Sequence, residues 1–214
     1  MTTTTEICSM KNVFLILLPV IFTYSFVPTF AQNMTITPGT PAPFIKLKNI
    51  DDSTVSFDDY PSANGFIVVF ICNTCPYSKA YEQRIMDLDK KYSLQHFPII
   101  AVNPSDPVLS PGDSFIKMKE HAKSRHYTFP YLYDEGQVIT NLYGARTTPH
   151  VFVISKNAGS YTVEYTGAID NDTQNYNPDK INYVEDAIAA LLNNKKPAVT
   201  VTRAIGCSIS RKKN

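Results

Sequence analysis

Two consecutive stretches early in the chain differ sharply in their hydrophobic pattern. Phe66–Ile71 (FIVVFI) is an unbroken run of β-branched and aromatic residues, which is typical of a strand buried on both faces. The next stretch repeats apolar residues at helical spacing, namely Tyr77, Tyr81, Ile85, Leu88 and Tyr92. The intervening positions are largely polar, so this pattern predicts an amphipathic helix that ends near Lys91.

The rest of the chain alternates between strand-like and helix-like segments. Before the buried run, a candidate hairpin joins Phe44–Leu47 to Val55–Phe57. After the first helix, the pattern predicts a strand, a short helix, a short strand, one or two helical turns and a hairpin: Phe97–Val102, Ser114–Lys123, Tyr131–Tyr133, Gln137–Tyr143, and His150–Ser155 with Tyr161–Thr166. Asn177-Pro178 is predicted to start the last helix, because proline is favoured at the first helical position. The order indicates an α/β sandwich with a mixed sheet.

Residues 1–31 have the pattern of a secretory signal. Lys11 precedes the apolar run Val13–Phe22, and Thr29-Phe30-Ala31 supplies a small-x-small end, so we expect cleavage after Ala31. The alternative is an uncleaved membrane anchor. A spanning helix needs about 20 apolar residues, whereas this run is shorter and contains a proline. We therefore expect an exported protein, periplasmic or secreted, with a mature domain of residues 32–214 and no stable membrane association.

Composition and charge exclude several classes of protein. The 214 residues are 43% hydrophobic and 18% charged, which supports a packed core and argues against disorder. A formal net charge of +1 argues against a nucleic-acid partner. Of the four cysteines, Cys8 lies in the signal segment, so the mature chain keeps Cys72, Cys75 and Cys207. An oxidising compartment allows two of these to form a disulfide and leaves one thiol over.

Cys72-Asn73-Thr74-Cys75 lies where the buried strand meets the amphipathic helix. A thiol at a helix N-terminus faces unpaired N–H groups and the positive end of the dipole, which favour the thiolate. We therefore predict that Cys72 is the attacking thiolate and Cys75 the resolving thiol. A structural disulfide and half of a metal site are the alternatives. The chain has no second CxxC and no HxxxH, so we expect neither a metal nor a cofactor.

A second motif, Thr148-Pro149, precedes the apolar strand at Val151, and with the CxxC it carries a resemblance. The order strand, CxxC, helix, then distant Thr-Pro and hairpin resembles the thioredoxin fold. Thr128–Ile154 and the opening Thr40–Leu47 resemble the alkyl hydroperoxide reductase/thiol-specific antioxidant family. Within that family, the chain is most similar to a peroxiredoxin-like subgroup with a CxxC and a Gly-Cys near the C-terminus.

The resemblance implies a thioredoxin-like α/β sandwich, in which helices flank a central mixed β-sheet that has an N-terminal hairpin extension. It places the core at about residues 39–192 and leaves 193–214 as a C-terminal extension. Cys72 and Cys75 match the family's dithiol. Pro149 matches its cis-proline, and Thr148 matches the residue whose backbone pairs with a bound substrate strand.

The chain departs from the thioredoxin and peroxiredoxin patterns in three ways. It has no Trp before the first cysteine, and its buried strand holds no carboxylate, so the proton acceptor for the dithiol is unassigned. Peroxiredoxins place Thr or Ser three residues before the peroxidatic cysteine, but Val69 stands there relative to Cys72. This chain therefore lacks the peroxide-positioning motif.

The leading functional hypothesis is an exported thiol–disulfide oxidoreductase. Its partners would be protein thiols or disulfides and an upstream electron donor or acceptor. One alternative is a thiol peroxidase. The other is a copper-binding module with Cys72, Cys75 and His150 as a soft ligand set. For His150, a strand residue with satisfied ring nitrogens is the simpler interpretation.

Cys207 lies beyond the last helix, and three interpretations of it stay open. It is an inert buried thiol, an intermolecular bridge, or a third redox thiol that exchanges with Cys72 or Cys75. The third interpretation requires its Cα to come within about 7 Å of the Cα of one of them. Gly206 would let the backbone approach another segment closely.

Overall fold

The computed structural model describes residues 1–2 and 35–211 of the chain. The chain divides into two units, Met1–Gln32 and Asn33–Asn214, and the fold given below is that of the second unit. The predicted signal segment, residues 3–31 in particular, lies outside the described residues. Within the described residues, no helix is long and apolar enough to cross a membrane.

The described part of the chain forms nine strands and four α-helices. In chain order they are β1 (Lys46–Asn49), β2 (Thr54–Ser56), β3 (Gly65–Phe70), α1 (Pro76–Tyr92), β4 (Ile99–Asn103), α2 (Phe115–Arg125), β5 (Tyr131–Tyr133), α3 (Val138–Tyr143), β6 (Thr147–Thr148), β7 (His150–Asn157), β8 (Ser160–Gly167), α4 (Tyr183–Leu192) and β9 (Cys207–Ser208). Seven strands make one sheet in the order β2-β1-β5-β4-β3-β7-β8, and β6 pairs separately with β9.

The seven-stranded sheet is mixed, as the sequence predicts. Strand β3 is parallel to β4, and β4 is parallel to β5. Strands β7 and β8 form the predicted hairpin, and β7 runs antiparallel to β3. The N-terminal hairpin β1–β2 extends the same sheet through antiparallel pairing of β1 with β5. The predicted fold class, an α/β sandwich of thioredoxin-like type, is confirmed.

Strand β3 is the centre of the core because both of its faces are covered. Ile67 and Val69 belong to one apolar cluster, which also contains residues of α1, α2 and α4. Phe66, Val68 and Phe70 belong to a second cluster on the opposite face, which includes residues of α3. All six residues of β3 are buried. This double coverage explains why the segment reads as a continuous apolar run. It also fixes the carboxyl end of β3, where the cysteine motif begins.

The prediction that the last helix starts at Asn177-Pro178 is wrong. Helix α4 begins at Tyr183, after Asn182. Two features hold the preceding chain out of a helix. The Asp172 carboxylate accepts backbone N–H bonds from several residues of the loop, namely Gln174, Asn175 and Asn177. Asn171 and Ile181 form two hydrogen bonds. The backbone N–H of Asn171 donates to the Ile181 carbonyl, and the Ile181 N–H donates to the Asn171 side-chain oxygen. A short Asx side chain competes with the helix for these donors.

The chain after α4 runs back across the fold and ends beside the cysteine motif. Val201 forms a parallel bridge with Thr166 of β8, and the Thr202 N–H donates to the Thr166 carbonyl at 3.0 Å. Further on, β9 pairs antiparallel with β6, so that Cys207 lies opposite Thr148. This path brings Cys207 to the candidate site.

Candidate active site

The start of α1 positions the two cysteines of the CxxC motif. Cys75 is the N-cap residue, with φ −67° and ψ 122°, and Pro76 is the first helical residue. Pro76 stabilises this start, because proline has the right φ and lacks an N–H that the first turn could not pair. Cys72 is half-buried, whereas only 3% of Cys75 is exposed. Cys72, which the sequence predicts to be the nucleophile, is therefore the more accessible of the two thiols.

Thr148 contacts both sulfurs of the motif. Its peptide bond to Pro149 is cis, as the family resemblance implied. The Thr148 hydroxyl oxygen lies 3.2 Å from Cys72 Sγ, and its carbonyl oxygen lies 3.0 Å from Cys75 Sγ. When Cys72 is a thiolate it has no proton to donate, so the hydroxyl becomes the donor and stabilises the negative sulfur.

The disulfide in the structure joins Cys75 to Cys207, with a Cα–Cα distance of 6.0 Å, and leaves Cys72 as a free thiol. The bond that the sequence favoured, Cys72–Cys75, is not the one present. Cys207 satisfies the distance that the third-thiol interpretation requires. The redox roles of the three cysteines remain predictions.

Asp113, a residue that the sequence analysis missed, organises the middle of the motif. Its buried carboxylate accepts the backbone N–H groups of Asn73 and Thr74 at 2.6 and 3.1 Å, and the Thr74 hydroxyl at 2.6 Å. The carboxylate therefore occupies two N–H groups that would otherwise face the motif unpaired. Its position 39 residues after Thr74 follows no local spacing rule, so only the folded chain shows the contact.

A buried tyrosine, Tyr131, is hydrogen-bonded to the middle of the cysteine motif. Tyr131 on β5 donates its hydroxyl to the Asn73 side-chain carbonyl at 3.0 Å and accepts from the Asn103 amide at 3.1 Å. Burial raises the pKa of Tyr131 well above 10, so the phenol stays protonated and remains a donor. The contact holds the Asn73 side chain and, with it, the turn between the two cysteines.

A crevice beside Cys72 contains a buried carboxylate, Glu82 of α1. Its partners are His121 at 2.6 Å, Arg125 at 2.5 Å and the Tyr127 hydroxyl at 2.6 Å. Burial by itself would raise the pKa of Glu82, but the hydrogen bonds from His121 and Tyr127, together with the nearby positive charge of Arg125, lower this pKa below its ordinary value. Glu82 is therefore ionised at neutral pH and ties α1 to α2.

His150 lies at the start of β7 with both ring nitrogens engaged. Nε2 lies 3.1 Å from the Thr166 hydroxyl, and Nδ1 accepts the Arg146 backbone N–H at 3.3 Å. Burial, with a smaller contribution from the charge of Arg146, lowers the pKa of His150 to about 4. Among the described residues, no group of three or more His, Cys, Asp or Glu side chains is arranged to hold a metal ion. The contacts of both ring nitrogens are those of the simpler interpretation of His150, a strand residue with satisfied ring nitrogens.

We predict that His150 makes the protein less stable as the pH falls. The unfolded histidine gains a proton below about pH 6.5, whereas the folded one stays neutral until about pH 4. The unfolded state thus binds more protons in that window, and stability is lost as the pH drops. Between about pH 7.5 and about pH 5 the free energy of unfolding should fall by about 2 kcal/mol through this group alone.

Urea denaturation at the two pH values checks this prediction, with a His150→Asn variant as the matched control. The wild type should lose about 2 kcal/mol more than the variant. Equal losses in the two proteins would show that His150 does not titrate differently on folding.

A thioredoxin-like sandwich with cysteines at the start of α1 and a cis-proline beside them defines a class of thiol-based redox proteins. Residues 38–159 match the model of the AhpC/TSA family. The chain belongs to this family. A curated protein from Geobacillus thermodenitrificans, named thiol-disulfide oxidoreductase ResA, is 25% identical over 151 residues, which cover 69% of this chain and 81% of the relative. The chain is an oxidoreductase.

Solved structures show the same fold. An uncharacterized conserved protein from Geobacillus kaustophilus is 30% identical with a TM-score of 0.76, and the match covers 85% of this chain and 95% of the other. A hypothetical protein from Sinorhizobium meliloti 1021 is 25% identical with a TM-score of 0.77, covering 85% and 98% of the two chains. A peroxidoxin from Mycobacterium tuberculosis, at 14% identity and a TM-score of 0.51 over 61% of this chain and 84% of its own, shares the fold alone.

Proposed function

We propose that this protein is an exported thiol–disulfide oxidoreductase that exchanges disulfides with cysteines of client proteins through Cys72 and Cys75. One observation carries the proposal. Cys72 is a free, half-buried thiol just before α1, with the Thr148 hydroxyl 3.2 Å from its sulfur and buried Cys75 three residues later. This is the arrangement of an accessible nucleophile with a protected resolving thiol.

Reduction of a client disulfide takes two steps. The Cys72 thiolate attacks one sulfur of a client disulfide, a Cys72–client bond forms, and the other client sulfur leaves as a thiolate. The Cys75 thiolate then attacks Cys72 Sγ, which forms a Cys72–Cys75 bond and releases the client as a second thiolate. Two electrons pass from the dithiol to the client. Oxidation of a client runs the same steps in reverse.

Cys207 takes part as a third redox thiol in this scheme. Its thiolate attacks Cys75 Sγ, forms the Cys75–Cys207 bond and frees Cys72 as a thiolate, with no net transfer of electrons. The Cα–Cα distance of 6.0 Å between Cys75 and Cys207 supports this step. A dithiol reductant must then reduce Cys75–Cys207 before the next client is reduced.

The export part of the proposal rests on residues 1–31, which have the composition of a cleaved secretory signal. A disulfide is stable in an oxidising compartment, which agrees with export of a protein that holds one. Mass spectrometry of the exported protein should show a chain that begins at Gln32. A full-length chain in the membrane fraction would contradict cleavage.

Trapping of clients tests the proposed roles of Cys72 and Cys75. The Cys75→Ser variant should accumulate mixed disulfides with client proteins, because it lacks the resolving thiol for the Cys72–client bond, and Cys72→Ser should accumulate none. A Cys72→Ser/Cys75→Ser double variant is the background control. Equal trapping by the two single variants would reverse or remove the assigned roles. Turnover of hydrogen peroxide faster than reduction of insulin would favour the thiol peroxidase, which the AhpC/TSA match also allows.

A further inference from the structure

The C-terminal segment around Cys207 is docked on the site as an extended strand. Strand β9 pairs antiparallel with β6, and the Ile209 N–H donates to the Arg146 carbonyl at 2.9 Å. The Gln137 side-chain amide donates to the Ser210 carbonyl at 2.8 Å. The β6–β9 pairing and the Ile209–Arg146 bond are main-chain contacts of the kind by which a sheet edge binds an extended peptide.

The register of this strand brings Cys207 to the reacting sulfurs. Cys207 lies directly opposite Thr148, the residue that contacts both Cys72 Sγ and Cys75 Sγ. A cysteine in this register is bonded to Cys75 in the structure. The docked segment therefore shows how an extended strand on this edge brings a cysteine to the sulfurs of the motif.

Gly206 passes so close to the cis-proline loop that it leaves no room for a side chain. A Cβ at this position would lie 2.2 Å from the Thr148 carbonyl oxygen and 2.6 Å from the Thr148 carbonyl carbon. Both are backbone atoms and cannot turn aside as a flexible side chain would. In this register, the residue just before the reacting cysteine must be glycine.

We propose that the edge Thr147–Thr148 selects clients as extended segments in which glycine precedes the reacting cysteine, and that Gly206-Cys207 is the enzyme's own copy of such a segment. The proposal rests on the proposed function, because it names the class of client that Cys72 attacks. The docked tail and a client then compete for one edge.

Residues 206–210, the docked tail, can leave the edge when a client binds. Gly206, Cys207 and Ile209 are only half-buried, and Ser208 and Ser210 are exposed. Strand β9 has two residues. Such a short, solvent-exposed pairing opens at low free-energy cost once the disulfide is broken. Reduction of Cys75–Cys207 thus exposes the edge that clients need.

Peptides activated as mixed disulfides with thionitrobenzoate test the selection on the reduced full-length protein. One peptide carries the sequence of residues 204–209, AIGCSI, and two others replace its glycine by alanine or valine. The Cys72 thiolate attacks the peptide sulfur, the bond to thionitrobenzoate breaks, and the coloured thiolate leaves. Each rate is corrected for the Cys72→Ser background and divided by the rate of the same peptide with dithiothreitol.

The glycine peptide should react faster than the valine peptide by about tenfold or more, with alanine between them. Equal corrected rates for the three peptides would overturn the proposal while leaving the proposed function intact. Rates no higher than the Cys72→Ser background for all three would contradict the proposed function instead.

A tail variant tests the competition separately. In Gly206→Val the added side chain should prevent docking, so the glycine peptide should react faster than with wild type, and oxidation should no longer give Cys75–Cys207 in peptide maps. Ser208→Val, an exposed change in the same strand, should leave both properties as in wild type. A retained Cys75–Cys207 bond or an unchanged rate in Gly206→Val would contradict the role of the tail.

Discussion

Replacing Cys72 by serine should lower the enzyme-dependent rate of insulin disulfide reduction by about a thousandfold or more. A serine hydroxyl does not ionise at neutral pH and does not attack a disulfide, so the first step of the exchange is lost. Cys72 is the free thiol among the three cysteines of the described residues, whereas Cys75 and Cys207 are bonded to each other. The initial rate of insulin precipitation with dithiothreitol as reductant, minus the rate with dithiothreitol alone, measures the effect.

The matched control for this loss is Cys207→Ser. It removes a sulfur from the same site and leaves Cys72 and Cys75 to carry out both steps, so insulin reduction should persist. Circular dichroism of both variants verifies that they fold. A Cys72→Ser variant that keeps more than about a tenth of the wild-type rate would show that another group is the nucleophile.

Replacing Cys207 by serine should destabilise the oxidised protein by about 3 kcal/mol. The Cys75–Cys207 disulfide closes a loop of 132 residues. In the chain-entropy description a loop of that length contributes about 5 kcal/mol, whereas a Cys72–Cys75 bond, which the oxidised variant should form, contributes only about 1.6 kcal/mol. The difference between the two bonds is the expected loss.

Urea denaturation of oxidised and reduced samples measures this difference. Reduced wild type and reduced Cys207→Ser should agree to within about 0.5 kcal/mol, since Cys207 is half-buried and neither protein then holds a cross-link. Equal stabilities of the two oxidised proteins would contradict a Cys75–Cys207 bond in solution. Peptide mapping of the oxidised variant identifies the bond that replaces it.

Local patterns in the sequence were sufficient for most of the fold. The six apolar residues of Phe66–Ile71 indicated a strand covered on both faces, and β3 is buried throughout. The recurrence of apolar residues after Pro76 predicted α1 to within a residue of its end at Tyr92. Such patterns succeed because the faces of a strand or helix are set by residues only two to four positions apart. The predicted start of the last helix was wrong because side-chain hydrogen bonds of Asp172 and Asn171 compete with helix formation there.

The candidate site likewise has features that local sequence predicts and features that only the tertiary structure decides. The sequence by itself determined that a cysteine pair stands at the start of α1, since both its spacing and the adjacent Pro76 are local. Which sulfur bonds to which was decided by the tertiary structure, where the path of the chain after α4 places Cys207 opposite Thr148. The Asp113 contacts with Asn73 and Thr74 were decided in the same way. The physical reason is that disulfides and buried hydrogen bonds depend on distances in space, and no periodicity along a chain encodes the approach of residues 39 or 132 positions apart.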